Sequence, residues 1–332
     1  MTAKNYRQTA EQLLPAIAYG DSAGLPLESL TRYDIASKYG LVDKLIDIPS
    51  SHLGYGYAEA GSWSDDTQLS CAMIRSILDS NGFDIDDMAL KHVDALNSTP
   101  LVSRPNKMPV YRGWGGSTIE SVKRLANGCS PLLSGSTEGV GNGVLMKLAP
   151  LALWQQAAGI SSDLAEKQAV LLTNMTHNNE LSRQVTLTHL EVQKTLTDAP
   201  ELMAKAGIIA LDFVKNKGFK PELQNALSYF IQKIVSIEDV LSYTDGKGFY
   251  APQTLAMAYG VLATRPETFN DAIFAAVNMG GDTDSIASIV AACWTLAWGS
   301  AELPHDANKI ADIDKLNDLS IKFGGFISKV AE

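Results

Sequence analysis

The sequence predicts an all-α protein, and three observations carry that prediction. Apolar residues recur at helical spacing, alternation of period two never persists beyond a few residues, and the glycine clusters fall between the periodic stretches. With 332 residues, 45% hydrophobic and 19% charged, the chain can bury a large core. No low-complexity linker or internal repeat interrupts it, so residues 1–332 read as one compact α-helical domain.

The N-terminal stretch MTAKNYRQTAEQLL holds no apolar run that could serve as a secretory signal. Gly20 to Glu28 reads as the end of a helix followed by a loop that carries Asp21 and Glu28. Leu69, Met73 and Ile77 lie on one face of a helix that opens on acids and stops near Gly82. Ser117-Thr118-Ile119-Glu120 has the form of a capping box, opening a helix to about Ala126 that Gly128 ends. Gly139 to Gly143 precedes a helix near Leu145. Thr176-His177-Asn178-Asn179 precedes another from Leu181 to Leu196, and Leu255 to Ala263 forms the next. Ile286, Ile289, Val290, Cys293 and Ala297 place an apolar face on the last, with Gly299 as its stop. Ser285 to Ala301 carries no formal charge, yet its hydroxyl residues and its length, short of the ~20 apolar residues a bilayer needs, make it a buried helix.

The formal charge of -10 opposes a nucleic-acid partner, which needs a basic surface. An anionic ligand would need backbone N–H groups, helix ends or a metal. Cys71, Cys129 and Cys293 are odd in number and far apart, which fits buried thiols rather than a disulfide framework. The expectation is a cytoplasmic monomer without a membrane or nucleic-acid partner.

Two acidic motifs, far apart in the chain, are the sharpest chemical features. Trp63-Ser64-Asp65-Asp66-Thr67-Gln68 leads into the helix of Leu69, and Gly280-Gly281-Asp282-Thr283-Asp284-Ser285 leads into the most apolar helix. A helix cap needs one short polar residue. Each motif supplies two carboxylates with flanking hydroxyls and no Lys or Arg, so burial would demand cations. Hard oxygen donors without clustered His or Cys suit Mg²⁺, Mn²⁺ or Ca²⁺ rather than zinc. Four carboxylates exceed the charge of one divalent ion, which points to a two-metal site.

Glu28 could ligate a metal or act as acid or base from its loop. Arg112-Gly113-Trp114-Gly115-Gly116-Ser117 and Gly139-Val140-Gly141-Asn142-Gly143 offer bare backbone N–H groups before helices, suited to phosphate but also to tight turns. Neither follows a strand, so neither is a Rossmann or Walker loop. His177 suits a ribose hydroxyl or a structural hydrogen bond. Tyr111, Trp114, Phe249 and Tyr250 are candidates to stack on a base, or core residues.

Taken together, the order GDSAGLPLE, SDDTQ, RGWGGST, GNGVLMK, THNN and GGDTDS resembles the ADP-ribosylglycohydrolase family, over Gly20 to Gly299. The resemblance implies an orthogonal all-α bundle around a central dinuclear cleft holding two Mg²⁺ (or Mn²⁺). By the same resemblance Ser64, Asp65, Asp66, Asp282, Asp284, Ser285 and Glu28 would ligate metal. Gly141, Asn142 and Gly143 would hold the diphosphate and ribose, His177 the ribose, and Gly115, Gly116 and Ser117 would line the cleft. Glu28 or Asp66 would manage the proton while the ions grip the vicinal hydroxyls of the ribose. Ser64 and Ser285 replace the usual threonines and keep the oxygen. Lys147 replaces a common arginine, keeping the charge but losing the bidentate fork. The implied activity is hydrolysis of the N- or O-glycosidic bond between ADP-ribose and a protein or small-molecule acceptor, arginine first. Serine, ADP-ribosyl-guanidine and O-acetyl-ADP-ribose remain open as substrates. A crystallin-like binder without turnover and a phosphoester hydrolase are the rivals.

Overall fold

The computed structural model describes residues 5–52, 54–104 and 107–332. The first four residues of the N-terminal stretch, Leu53, Pro105 and Asn106 lie outside them. Among the described residues there are fifteen α-helices and one two-stranded sheet. The first four helices are α1 (Tyr6–Gly24), α2 (Arg32–Tyr39), α3 (Asp65–Asp79) and α4 (Ile85–Ser98). An antiparallel hairpin follows, β1 (Leu101–Arg104) and β2 (Lys107–Tyr111), and then α5 (Gly116–Ala126). Next come α6 (Ala149–Ala157), α7 (Ser162–Thr176), α8 (Glu180–Asp198), α9 (Ala206–Lys217), α10 (Pro221–Leu227) and α11 (Ile237–Tyr243). The last four are α12 (Ala251–Ala263), α13 (Phe269–Val277), α14 (Thr283–Trp298) and α15 (Ile313–Val330). The all-α expectation holds, and the helices expected from Leu69, Leu181, Leu255 and Ile286 are all present.

The centre of the bundle is the pair α1 and α14. Every residue of α14 from Thr283 to Ala297 is buried, as the uncharged stretch from Ser285 onward requires. Its Ile, Val and Leu side chains each gain ~1.5–3 kcal/mol from leaving water. The two helices run antiparallel and touch backbone to backbone. A Cβ on Gly20 would lie 2.6 Å from the Ala287 carbonyl oxygen, and one on Gly24 would lie 2.3 Å from that of Thr283. Only glycine allows that approach. Thr283 Oγ1 seals the end of the contact by donating to the Gly24 carbonyl at 2.8 Å.

These contacts correct one expectation. The glycines of Gly20 to Gly24 do not end the helix; α1 runs through them, and Asp21 is helical and fully buried. Their role is close packing, which local sequence does not distinguish from helix breaking. The short 3₁₀ turn Leu25–Leu27 follows, and Glu28 stands just beyond it.

Two further differences are local. The capping box at Ser117 is not formed: the cap falls two residues earlier, at extended Gly115, with no side-chain cap bond. The hairpin Leu101–Tyr111 escaped the reading of the sequence because its strands span only four and five residues, too few for alternation to register. The ends of two long helices follow the expected signals. Gly299 closes α14 in the left-handed conformation, and Asn179 caps α8 by accepting from the Ser182 N–H.

Candidate active site

The two acidic motifs, separate in sequence, meet at the C-terminal end of α1. Asp21 sits in its last turns and organises the first motif. Its carboxylate accepts from the Ser64 N–H at 2.9 Å, the Thr67 N–H at 3.0 Å and Thr67 Oγ1 at 2.6 Å. It therefore fixes the start of α3, where Ser64 is the N-cap and accepts from the Asp66 N–H. The second motif is fixed by backbone. Gly280 and Gly281 both have positive φ, and Gly281 exchanges hydrogen bonds with the other strand of chain: Ser29 N–H to Gly281 O and Gly281 N–H to Leu30 O, each 2.8 Å. Those bonds carry Glu28 to the mouth of the site.

Glu28, Asp65, Asp66, Asp282 and Asp284 line one cleft of about 180 Å³. Carboxylate oxygens of Glu28, Asp282 and Asp284 lie within 4.8 Å of one another. Asp66 Oδ2 accepts from Ser64 Oγ at 3.2 Å and Ser285 Oγ at 3.5 Å, so it joins both motifs. Its other oxygen, Oδ1, is buried and has no hydrogen-bond partner. Asp65 accepts from the Gly115 N–H.

Burial first, and mutual repulsion second, push the Asp65, Asp66 and Asp284 carboxyls well above the usual carboxylate range. Burial also raises Asp282. The N-termini of α3 and α14 favour negative charge here, but they do not balance several carboxylates. The nearby cation is Lys147, whose Nζ is fully buried without a hydrogen-bond partner. Burial lowers it to about 7, with the Asp65 charge acting in the opposite direction. An orphaned carboxylate oxygen, clustered hard donors and an excess of buried acid fit a hard divalent cation.

The remaining wall is made of the two glycine loops, and their expected residues line the cleft as a group: Gly115, Gly116 and Ser117 from one, Gly141, Asn142 and Gly143 from the other. Cβ atoms on Gly115 and Gly116 would meet nothing within 4 Å, which leaves the start of α5 open to the cleft. One on Gly143 would lie 2.8 Å from Thr118 Oγ1. The Asn142 amide is turned inward: it donates to Asp282 Oδ2 at 2.7 Å and to the Gly248 carbonyl at 3.4 Å. His177 lines the same wall, with Nδ1 3.0 Å from Thr176 Oγ1. Burial, helped by Lys147, holds it down at about 3, so its imidazole is neutral.

Of the four aromatic candidates, only Phe249 lines the cleft. Trp114 is buried and donates to Gln68 Oε1. Tyr111 packs under Lys123, and Tyr250 pairs with Gly141 through an isolated bridge. The segment 245–251 that carries Phe249 touches both sides of the site. The Lys247 carbonyl accepts from the Asp282 N–H at 2.7 Å, and the Ala251 N–H donates to the Val140 carbonyl at 3.0 Å. Ser64 is buried and bonded to Asp66 rather than lining the cleft, while Ser285 lines it directly. Asp21, Lys147 and His52 are residues of the site that the sequence does not single out for a role. Asp21 carried a signal, its place in the GDSAG motif; an isolated His52 carried none.

An all-α bundle that converges helix N-termini and buried carboxylates on a cleft walled by glycine loops is suited to a hard cation and an anionic ligand. The sequence profile of the ADP-ribosylglycohydrolase family matches residues 2–326. The mouse (Mus musculus) ADP-ribosylhydrolase ARH3 is 26% identical, over 86% of this chain and 82% of its own length. The ADP-ribosyl-(dinitrogen reductase) glycohydrolase of Rhodospirillum rubrum is 22% identical, over 92% and 90%. A solved structure described as an ADP-ribosylglycohydrolase-related protein complex shares the fold, with a TM-score of 0.72, 19% identity and 99% coverage of both chains. The chain belongs to the ADP-ribosylglycohydrolase family, and its chemistry is that of a glycohydrolase.

Proposed function

We propose that this protein hydrolyses the N- or O-glycosidic bond between ADP-ribose and an acceptor, with two Mg²⁺ ions (Mn²⁺ as substitute) held by Glu28, Ser64, Asp65, Asp66, Asp282, Asp284 and Ser285. The observation that carries the reading is the convergence of both acidic motifs and both glycine loops on one cleft. Divalent ions there would supply a grip on the vicinal ribose hydroxyls and an acidified water.

The chain's own residues do the rest. The backbone N–H groups of Gly141 to Gly143 and of the α5 start face the diphosphate. Neutral His177 takes a ribose hydroxyl, and Phe249 offers a face to the base. Asn142, in the same wall, orients Asp282. As the glycosidic bond breaks, the ribose gains oxocarbenium character, which the surrounding carboxylates stabilise. Glu28 or Asp66 handles the proton: Glu28 is the only partly exposed acid of the set, and Asp66 Oδ1 is the unpartnered oxygen.

An arginine acceptor suits this mouth, because a guanidinium gains from an acidic rim and from a net charge of -10. The continuous core supports residues 1–332 working as one domain, which we propose acts as a monomer. The test supplies ADP-ribosyl-arginine, ADP-ribosyl-serine, ADP-ribosyl-guanidine and O-acetyl-ADP-ribose side by side, with magnesium or with EDTA. Magnesium-dependent release of free ADP-ribose is the expected product. Release of AMP would mean phosphoester cleavage, and binding without release would mean a non-catalytic relative.

A further inference from the structure

We propose that His52 is a positioning residue whose Nε2–H holds the Glu28 carboxylate in place at the mouth of the cleft. The inference rests on this cleft being the hydrolytic site.

The tautomer follows from the hydrogen bonds. His52 Nδ1 accepts from the Gly54 N–H at 3.3 Å. A neutral imidazole that accepts at Nδ1 carries its proton on Nε2. Nε2 lies 3.4 Å from Glu28 Oε2, on a side chain only 6% exposed. No other polar atom partners it, and it makes no well-formed hydrogen bond as it stands. A buried donor left unmade is costly. A small movement of Glu28 toward the ring completes the bond.

The surroundings leave Glu28 as the part that moves. The His52 backbone is fixed by its N–H to the Pro49 carbonyl at 2.9 Å and by the Gly56 N–H to its own carbonyl at 3.1 Å. The edge of Tyr55 packs against the ring, with centroids 6.5 Å apart. Tyr55 is itself buried with Leu25 and Ile48, and its hydroxyl donates to the Trp63 carbonyl at 2.9 Å. On the other side, the bonds of Ser29 and Leu30 to Gly281 hold the backbone beyond Glu28. What remains free is the Glu28 side chain. Asp282 and Asp284 repel its carboxylate, and His52 is the donor placed to oppose that repulsion.

The experiment compares His52→Phe, which keeps an aromatic ring beside Tyr55 but loses the donor, with His52→Gln, which returns an N–H at similar reach. For His52→Phe we expect kcat for ADP-ribose release to fall ~10- to 100-fold, the scale of a misplaced catalytic group. KM should change less than about threefold, because ground-state binding is untouched. His52→Gln should recover most of the loss. A second readout needs neither metal nor turnover: nitrogen NMR of the imidazoles should show His52 protonated on Nε2, with a resonance that shifts on Glu28→Ala. Unchanged kcat in His52→Phe, equal impairment in His52→Gln, or no response to Glu28→Ala overturns the proposal. If the wild-type protein releases no ADP-ribose, the assignment of the reaction fails instead. The NMR response then still decides whether His52 holds Glu28.

Discussion

Two buried aspartates at this site, Asp21 and Asp284, should respond oppositely to the same substitution. Asp21 accepts from two backbone N–H groups and a hydroxyl. Asp21→Asn turns an acceptor into a donor against those donors, so stability should drop by ~2–4 kcal/mol even without metal. Burial raises both carboxyls, Asp21 to about 6, but at Asp284 the Glu28, Asp282 and Asp66 charges add to it. Asp284→Asn should leave the metal-free melting temperature level or slightly raised, while abolishing metal binding and turnover. Melting curves with EDTA, paired with magnesium titrations, separate the two, and normal turnover by Asp284→Asn would break its assignment. The sequence made Asp65, Asp66, Asp282 and Asp284 legible because each pair exceeds what a helix cap needs. It could not reveal Asp21 as the anchor of the first pair, since that role depends on a contact between chain segments distant in sequence.

At the scale of elements, the crossing of α1 and α14 sets the spacing of the acidic corners. Gly24→Ala gains up to ~1 kcal/mol of helix propensity but forces a Cβ against the Thr283 backbone, and overpacking of that kind costs ~1–3 kcal/mol. We expect net destabilisation, and weaker metal binding because Asp282 and Asp284 sit at the displaced end. A Gly24→Ala protein with unaltered melting and unaltered metal affinity would show that the helices can part freely. Here sequence reading was strongest for long helices with a clear apolar face, such as α14, and for their stops. It failed where a residue type has two uses. Glycine in α1 serves close packing rather than termination, Ser117 lies inside a helix that Gly115 caps, and strands as short as β1 and β2 leave no periodicity to read.

For the whole molecule, the cleft couples stability to pH and to metal. Asp282 rises from 3.8 to about 6 through burial, and Asp65, Asp66 and Asp284 are also held well above the ordinary carboxylate range. The metal-free native state thus holds protons that the unfolded chain has already released. Its stability is fullest below the ordinary carboxylate pKa and declines as pH climbs through about 6 and beyond. Cations bind the deprotonated form, so their stabilisation grows in the same direction. Magnesium at ~100 times its Kd should add ~2.7 kcal/mol. That rise in melting temperature should be large near about pH 8 and small near about pH 5. A rise that ignores pH would disconnect the metal from these acids.

The segment 245–251 is a strut common to the two halves of the cleft: it takes the Asp282 N–H at one end and gives its own N–H to the Val140 carbonyl at the other. Asn142 adds a second link by bonding Asp282 directly. Whatever settles the glycine loop therefore also settles an acid of the opposite corner, and thermodynamic reciprocity makes the influence mutual. Manganese affinity, measured by titration with and without saturating ADP-ribose, should be tighter with the nucleotide present, and Asn142→Ala should erase most of the difference. The sugar and the ion would then not be two guests admitted separately, but each other's condition of entry.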